Sequence, residues 1–187
     1  MSGILVGELI LWLIVAVIVI VVGVYIVNWL YHRSSKEVSF VRTGFLGERV
    51  VINGGAFVLP FIHDYTSVNM NVLPMGIVRS RQDAVITRDR MRVDIEADFY
   101  VRVQPTRDAV SIAAATLGRR TMEPEQLHTL LSGKFISAIR SVASEMTMEQ
   151  MHEQRGDYVA RVKANAAEAL AQNGLELESV AITDLDQ

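Results

Sequence analysis

The sequence predicts an α+β fold in which one membrane-spanning helix precedes a domain with a strand-rich first half and a helical second half. Residues 9–30 contain no charged side chain. Residues 91–103 alternate strictly between apolar and polar side chains, as a strand with one buried face does. From residue 105 the apolar residues recur at spacings of three and four residues, as they do in helices, until a last alternating run at 175–185. This order of strands, helices and one returning strand is typical of an α+β domain.

The apolar run predicts a transmembrane helix over residues 9–31, after a short N-terminal segment at 1–8. At about 1.5 Å per residue it spans about 33 Å, enough to cross a hydrocarbon core of about 30 Å. Amphipathic rings near both ends of the run would favour the headgroup level. The predicted anchor residues are Leu9, Trp12, Tyr25, Trp29 and Leu30.

Two other interpretations of this run are weaker. A signal peptide would have a basic start and a small-residue cleavage site, whereas the start MSGILVGE contains no Lys or Arg and no A-x-A pattern follows. A buried core helix of this length with no polar face would be unusual in a chain of 187 residues.

The charges flanking the run predict its orientation. No Lys or Arg precedes it, whereas Arg33, Lys36, Arg42 and Arg49 follow it. Because basic residues are retained on the cytoplasmic side, we expect the N-terminus outside and the body of the chain in the cytoplasm.

Composition limits the function classes. The 18 basic and 21 acidic residues give a net charge of −3, without the basic excess of a general nucleic-acid binder. The four histidines are scattered, and the motifs GxSxG, S-x-x-K and GxxxxGK[ST] are absent. The row Asp94, Glu96 and Asp98 could attract a cation, but a solvated or inter-subunit face is the simpler interpretation. We therefore predict no catalytic residue, no metal site and no cofactor.

The strand-rich half is predicted over residues 36–104. Apolar runs at 49–53 and 56–62 flank Asn53-Gly54, a dipeptide that favours tight turns because both residues tolerate positive φ. The longest predicted strand covers 91–103, where the odd-numbered side chains are apolar.

The helical half is predicted over residues 105–187. Pro105 suits the start of a helix over 106–117 that Gly118 ends, and Pro124 opens a second helix to about residue 146. Thr147 and Gln150 form a capping box for a third helix to about residue 172, and Asn173-Gly174 is a C-cap signal. A closing strand follows.

Several segments in this order resemble the SPFH or band 7 superfamily, which includes stomatin, prohibitin, flotillin and HflK/HflC. These segments are GERVVINGGAFVLPFIH, DIEADFYVRV, MTMEQMHEQRGDYVARV and GLELESVAITDLD, behind the membrane anchor. A narrower resemblance, to bacterial inner-membrane flotillin-like proteins of the YqiK type, depends on FVRTG, TRDRMRVD and NGLELESV.

The resemblance implies an SPFH domain in a non-enzymatic membrane scaffold that assembles into large homo-oligomeric rings or cages and organises membrane microdomains. The implied partners are membrane lipids, further copies of the chain, and a small NfeD-type membrane protein. The alternative is a regulatory subunit that encloses or restrains a membrane-bound AAA protease.

Two groups of residues are candidates for contact with the membrane surface. The apolar stretch that contains Phe57, Leu59 and Phe61 is either a core strand or a loop that dips into the inner leaflet. Arg79 and Arg81 belong to a locally basic segment that either contacts anionic headgroups or pairs with the acidic row at 94–98.

The third helix is the candidate oligomerisation surface. An apolar stripe and neighbouring charges could contact another subunit, or the stripe could pack on the domain's own sheet. The candidate oligomer contacts are Tyr158, Arg161, Val162, Ala166, Glu168 and Leu170.

Overall fold

The N-terminal helix stands apart from the rest of the protein. A computed structural model of the chain describes residues 2–44, 47–59 and 63–186, with residues 2–6 described by their backbone only. Helix α1, Ser2–Leu30, has the length and composition to cross a membrane between Gly7 and Leu30, and none of that span is buried by protein. The core-helix interpretation therefore fails, and the apolar surface of α1 is available to lipid.

A small sheet and a two-stranded ribbon follow α1. The ribbon pairs β1, Tyr31–Arg33, with β4, Gly55–Phe57. The sheet has the order β3-β2-β5, formed by β3 (Arg49–Val51), β2 (Val38–Gly44) and β5 (His63–Asn69). Between ribbon and sheet lies a small apolar cluster of Phe40, Val51, Ala56 and Val58.

The larger sheet is built around one long strand, β8, Arg92–Val103. Strand β8 pairs with three strands: β6, Leu73–Arg79, the short β7, Val85–Ile86, and β9, Leu175–Asp186. All pairings are antiparallel. The odd-numbered side chains of β8 from Val93 to Val103 are buried, which confirms the predicted alternation.

The helices cover one face of this sheet. Helix α3, Pro124–Ala143, packs over β6 and β7, while α5, Arg155–Ala171, packs over β9 and α3. Phe99 of β8 and Phe135 of α3 stack with ring centroids 4.3 Å apart. Helix α2, Arg107–Thr116, joins the two sheets through contacts with β2, β3, β5 and β8.

The predicted capping box and the predicted glycine are present at their helix ends, whereas α2 begins at Arg107 with Thr106, which is not among the predicted caps, as its N-cap. The Thr106 hydroxyl accepts a hydrogen bond from the Ala109 N–H, and Thr147 and Gln150 form the predicted capping box before α4, Met148–Glu153. Gly174 has φ +70°, and a Cβ there would lie 2.2 Å from the Ala109 carbonyl oxygen. Only glycine fits this approach of the chain to α2 before β9 begins.

Three details differ from the sequence-based expectations. The predicted third helix is interrupted at Gln154, whose φ of −110° and ψ of 41° leave the helical region. Asn53-Gly54 does not close a hairpin between its flanking strands, because β3 pairs with β2 and β4 pairs with β1. The alternation of β9 is broken by two register shifts, opposite residues 96/97 and 100/101.

Candidate membrane-contact site

The end of the membrane helix is hydrogen-bonded to the folded domain. The Val58 N–H donates to the Leu30 carbonyl oxygen over 2.9 Å, and β1 continues directly from Leu30 into its ribbon with β4. The bond pairs one of the four carbonyls that a helix leaves without a partner at its C-terminus. Phe57 and Val58 are thereby held at the end of α1.

An exposed group of aromatic side chains surrounds this junction. We call Trp29, Tyr31, Phe57 and Tyr65 the aromatic collar, and their exposed fractions run from 42% to 61%. The rings of Tyr31 and Phe57 meet edge to face at 5.4 Å, and the Tyr31 ring lies over Gly55, where a Cβ would be 2.2 Å from the tyrosine oxygen. Such rings at a helix end favour the headgroup level of a bilayer.

The side chains of the apolar stretch after Gly55 differ in exposure. Ala56 and Val58 are buried, whereas Phe57 and Leu59 are 53% and 40% exposed. Phe57, the last residue of β4, and Leu59 therefore point away from the small core, and their contact with the membrane stays a prediction. Phe61 lies outside the described residues.

Next to the collar, one face of the β3-β2-β5 sheet carries three basic side chains that can donate hydrogen bonds. Arg42 of β2 is 8% exposed and pairs directly with the exposed Arg49 of β3. Arg42 Nη1 donates to the Phe57 carbonyl oxygen over 2.7 Å, and Arg42 Nε has no partner. His63 of β5 is 5% exposed, and its Nε2 also has no partner. We call Arg42, Arg49 and His63 the donor cluster.

Sequence reasoning missed the donor cluster. By sequence alone, Arg42 is a basic residue that follows the helix, and His63 is one of four scattered histidines. A signal was present for Arg42, because in the run SFVRTG it falls on the same period-2 face as the apolar Phe40. An arginine on an inward face requires a reason, since charged side chains are rarely buried without a partner.

Arg79 and Arg81 do not join this site. Arg79 lies opposite Ile95 and pairs with Asp83 at 3.5 Å, and the Arg81 N–H donates to Asp94 Oδ1. The α1 end of β8 is near Val103, because Pro105 lines a cleft with Gly54 and Gly55. From Ile95 to Val103 the strand runs about 26 Å at about 3.3 Å per residue. The side chain of Arg79 is thus paired with Asp83 and not with the acidic row at 94–98, and headgroup contact by Arg79 and Arg81 stays a prediction.

The prediction that the apolar stripe of α5 contacts another subunit is wrong for its apolar residues. Tyr158, Val162, Ala166 and Leu170 have no exposed surface, since all four pack against the domain's own sheet and α3. They are unavailable to a neighbouring subunit. Arg161 and Glu168 are exposed and line a shallow groove of about 430 Å³ between α3 and α5, so they stay a prediction.

The acidic row of β8 lies on the open face of the larger sheet. Asp94 is opposite Asp186, and Glu96 is opposite Asp184. Among the residues that the structure describes, no three His, Asp or Glu side chains are grouped to hold a metal ion.

Comparison with known proteins gives consistent matches. Residues 22–187 match the family model described as SPFH domain / Band 7 family. The chain is 43% identical over 180 residues to the flotillin family inner membrane protein YqiK of Escherichia coli, covering 94% of this chain and 32% of that protein. It is 26% identical over 179 residues to the flotillin family inner membrane protein sll1021 of Synechocystis, covering 94% and 27%. Human Flotillin-1 is 23% identical over 136 residues, covering 73% and 31%. The chain thus spans about a third of the length of these relatives.

The depth of the collar can be measured because the chain contains no cysteine. We expect a nitroxide on Phe57→Cys, in the full chain reconstituted in bilayers, to collide more with oxygen than with a water-soluble nickel reagent. Val78→Cys is the matched control, because Val78 is 61% exposed on β6 at the other end of the domain. Equal nickel access at both positions would show that the collar is in water.

The buried Tyr158 hydroxyl predicts a pH effect. Burial raises the pKa of Tyr158 above its ordinary value of 10.0, and its hydroxyl has no partner. Because the unfolded chain releases the Tyr158 proton at a lower pH than the folded protein does, the free energy of unfolding is unaffected below the unfolded pKa of about 10 and falls as the pH rises above it. Tyr158→Phe should stabilise the fold by about 1 kcal/mol at neutral pH, since it removes an unpaired polar group.

The same variant should lose less stability between about pH 8 and about pH 11 than the wild type does. Urea unfolding of the full chain in detergent at both pH values measures the difference. Tyr100→Phe, on the half-buried face of β8, is the control and should follow the wild type. An identical pH dependence in Tyr158→Phe and the wild type would contradict the account.

Proposed function

The chain belongs to the SPFH domain / Band 7 family, and we propose that it is a flotillin-like membrane scaffold. In this proposal it is a single-pass protein of a bacterial inner membrane, with its N-terminus outside and its SPFH domain in the cytoplasm. Many copies assemble into rings or cages that organise membrane microdomains and their proteins. The role is non-enzymatic.

The observation that carries the proposal is the bonded junction between α1 and the domain. Because Val58 is bonded to Leu30 and β1 follows without a linker, every copy would meet the membrane in the same orientation. Confinement in a plane raises the effective concentration of neighbouring domains, so weak lateral contacts suffice for assembly. Identical head-to-tail contacts close into rings when the rotation between neighbours allows it.

The proposed orientation follows the charges around α1. No Lys or Arg precedes the helix, while Arg33 and Lys36 follow it directly and are exposed. The positive-inside rule supports the domain on the cytoplasmic side.

We propose that lateral contact uses the outer surface of α3 and α5 rather than the free edge of β9. Lys163 Nζ donates to the Glu178 carbonyl oxygen over 2.9 Å, and Arg155 donates to the carbonyl oxygen of Ile182. These cations occupy acceptors of the strand and oppose the addition of another strand. Small side chains such as Gly133, Ser137 and Ala164 line the grooves between α3 and α5, so a neighbour could approach closely.

Proteins enclosed by such an assembly would include the proposed partners, an NfeD-type membrane protein or an AAA protease. Restraint of a protease would then be a consequence of enclosure. Co-purification of such a protein with small particles, in place of large ones, would favour the regulatory-subunit alternative.

The size of particles extracted in mild detergent tests the scaffold proposal. We expect large homo-oligomers by native mass measurement and by imaging, and a wild-type monomer or dimer would contradict the proposal. Glu168→Arg reverses an exposed charge that has no bonded partner among the described residues, and it should shift the particles toward single subunits. Glu153→Arg, an exposed reversal at the end of α4, is the matched control and should leave the size unchanged.

A further inference from the structure

The donor cluster contains more hydrogen-bond donors than acceptors. Arg42 and Arg49 pair directly on neighbouring strands, where like charges destabilise a sheet. The Leu59 N–H donates to His63 Nδ1 over 3.3 Å, so neutral His63 carries its proton on Nε2, which has no acceptor. Arginine never offers an acceptor at neutral pH. The three side chains therefore present donors and positive charge on one face.

No carboxylate compensates this charge among the residues that the structure describes. The ion pairs found there lie within 4.0 Å and involve Arg79, Arg102 and Arg161 only. Of the nearest acids in sequence, Glu48 lines the same cleft as Arg49 but accepts from the Ser111 hydroxyl and forms no ion pair within 4.0 Å. Asp64 is opposite Thr43 on the other face of the sheet. A guanidinium that is buried without an anion carries a large desolvation cost.

The cluster lies next to the membrane helix, and Arg49 is its exposed member, with Arg42 and His63 buried behind it. Arg42 donates to the carbonyl oxygen of Phe57, and the next residue, Val58, donates to the Leu30 carbonyl oxygen at the end of α1. Arg49 is exposed and also lines a cleft of about 730 Å³ whose other wall includes Pro105 and Arg107. An anion at the level of the aromatic collar would meet Arg49 first and Arg42 behind it.

We propose that the donor cluster binds the phosphate of an anionic phospholipid headgroup in the leaflet at the C-terminal end of α1. Planar guanidinium groups match phosphate oxygens with two parallel hydrogen bonds, and paired arginines recognise phosphate more specifically than point charges do. The phosphate separates the two facing guanidinium charges and replaces the missing carboxylate. The site would give the proposed scaffold selectivity for one class of lipid. It rests on the proposed function, which places the cluster at the membrane.

The test uses the full chain in a neutral detergent, titrated with short-chain phosphatidylglycerol while the midpoint of thermal unfolding is followed. A ligand that binds the folded state raises this midpoint in a concentration-dependent way. We expect Arg49→Gln to need about tenfold more lipid for the same rise, because one charge-assisted contact is lost. Arg33→Gln is the matched control, since Arg33 is an exposed arginine in β1 at the same end of the domain but outside the cluster.

A second variant tests the buried arginine without removing its charge. Arg42→Lys can still donate to the Phe57 carbonyl, so its midpoint without lipid should stay near that of the wild type. It loses the planar fork, so its response to phosphatidylglycerol should also weaken about tenfold. An unchanged response in both Arg42→Lys and Arg49→Gln, or an equal loss in Arg33→Gln, would overturn the site.

Two further titrations separate the sources of the phosphate. Short-chain phosphatidylcholine should raise the midpoint less than phosphatidylglycerol does, and sodium phosphate should compete only weakly. If sodium phosphate alone matched the lipid, the site would be one for free phosphate and the lipid assignment would be overturned. Particle size is measured separately from lipid binding. Large particles that show no preference for phosphatidylglycerol would contradict only this site. Single subunits that do prefer phosphatidylglycerol would contradict only the scaffold proposal.

Discussion

The structure depends on how a membrane helix ends. Inside a bilayer the backbone has no partner except itself, so α1 must stay helical to Leu30, and its last carbonyls need donors where the bilayer stops. Val58 supplies one such donor, and the β1-β4 ribbon continues the chain from the same point. The domain is therefore attached through backbone hydrogen bonds rather than through a flexible linker, and the aromatic collar and the donor cluster are held at that level.

The domain can be read as two layers with different tasks. The ribbon joins the end of α1 to the small sheet, and the larger sheet is built along β8. Helix α2 connects the layers, and Gly174 lets the chain pass close to α2 before it returns along β8 as β9. Because the apolar stripes of α3 and α5 are used in the core, only their outer surfaces are left for neighbours. In the proposed scaffold, anchoring and assembly would therefore use different surfaces.

Much of this fold could be predicted because period and caps are local signals. The strand at 91–103, Pro124 at the first turn of α3 and the Thr147–Gln150 box are present as expected. The two β9 register shifts could also have been found, since Leu175, Leu177, Val180, Ile182 and Leu185 are spaced by two, three, two and three. The pairing of β4 with β1 could not, because it joins distant segments. The sequence places Arg42 on the same strand face as Phe40, but its bond to the Phe57 carbonyl depends on that pairing. The burial of His63 and of the α5 stripe likewise depends on contacts between distant segments.

The attachment of the domain to the membrane helix is the central claim, and hydrogen exchange of the Val58 amide tests it most directly. In the full chain in lipid nanodiscs this amide should exchange as slowly as the paired amides of β2, because it donates to the Leu30 carbonyl. If the Val58 amide exchanged at the rate of an unstructured amide while β2 stayed protected, the domain would be connected to α1 by a flexible segment. The common orientation of neighbouring domains would then lose its physical basis.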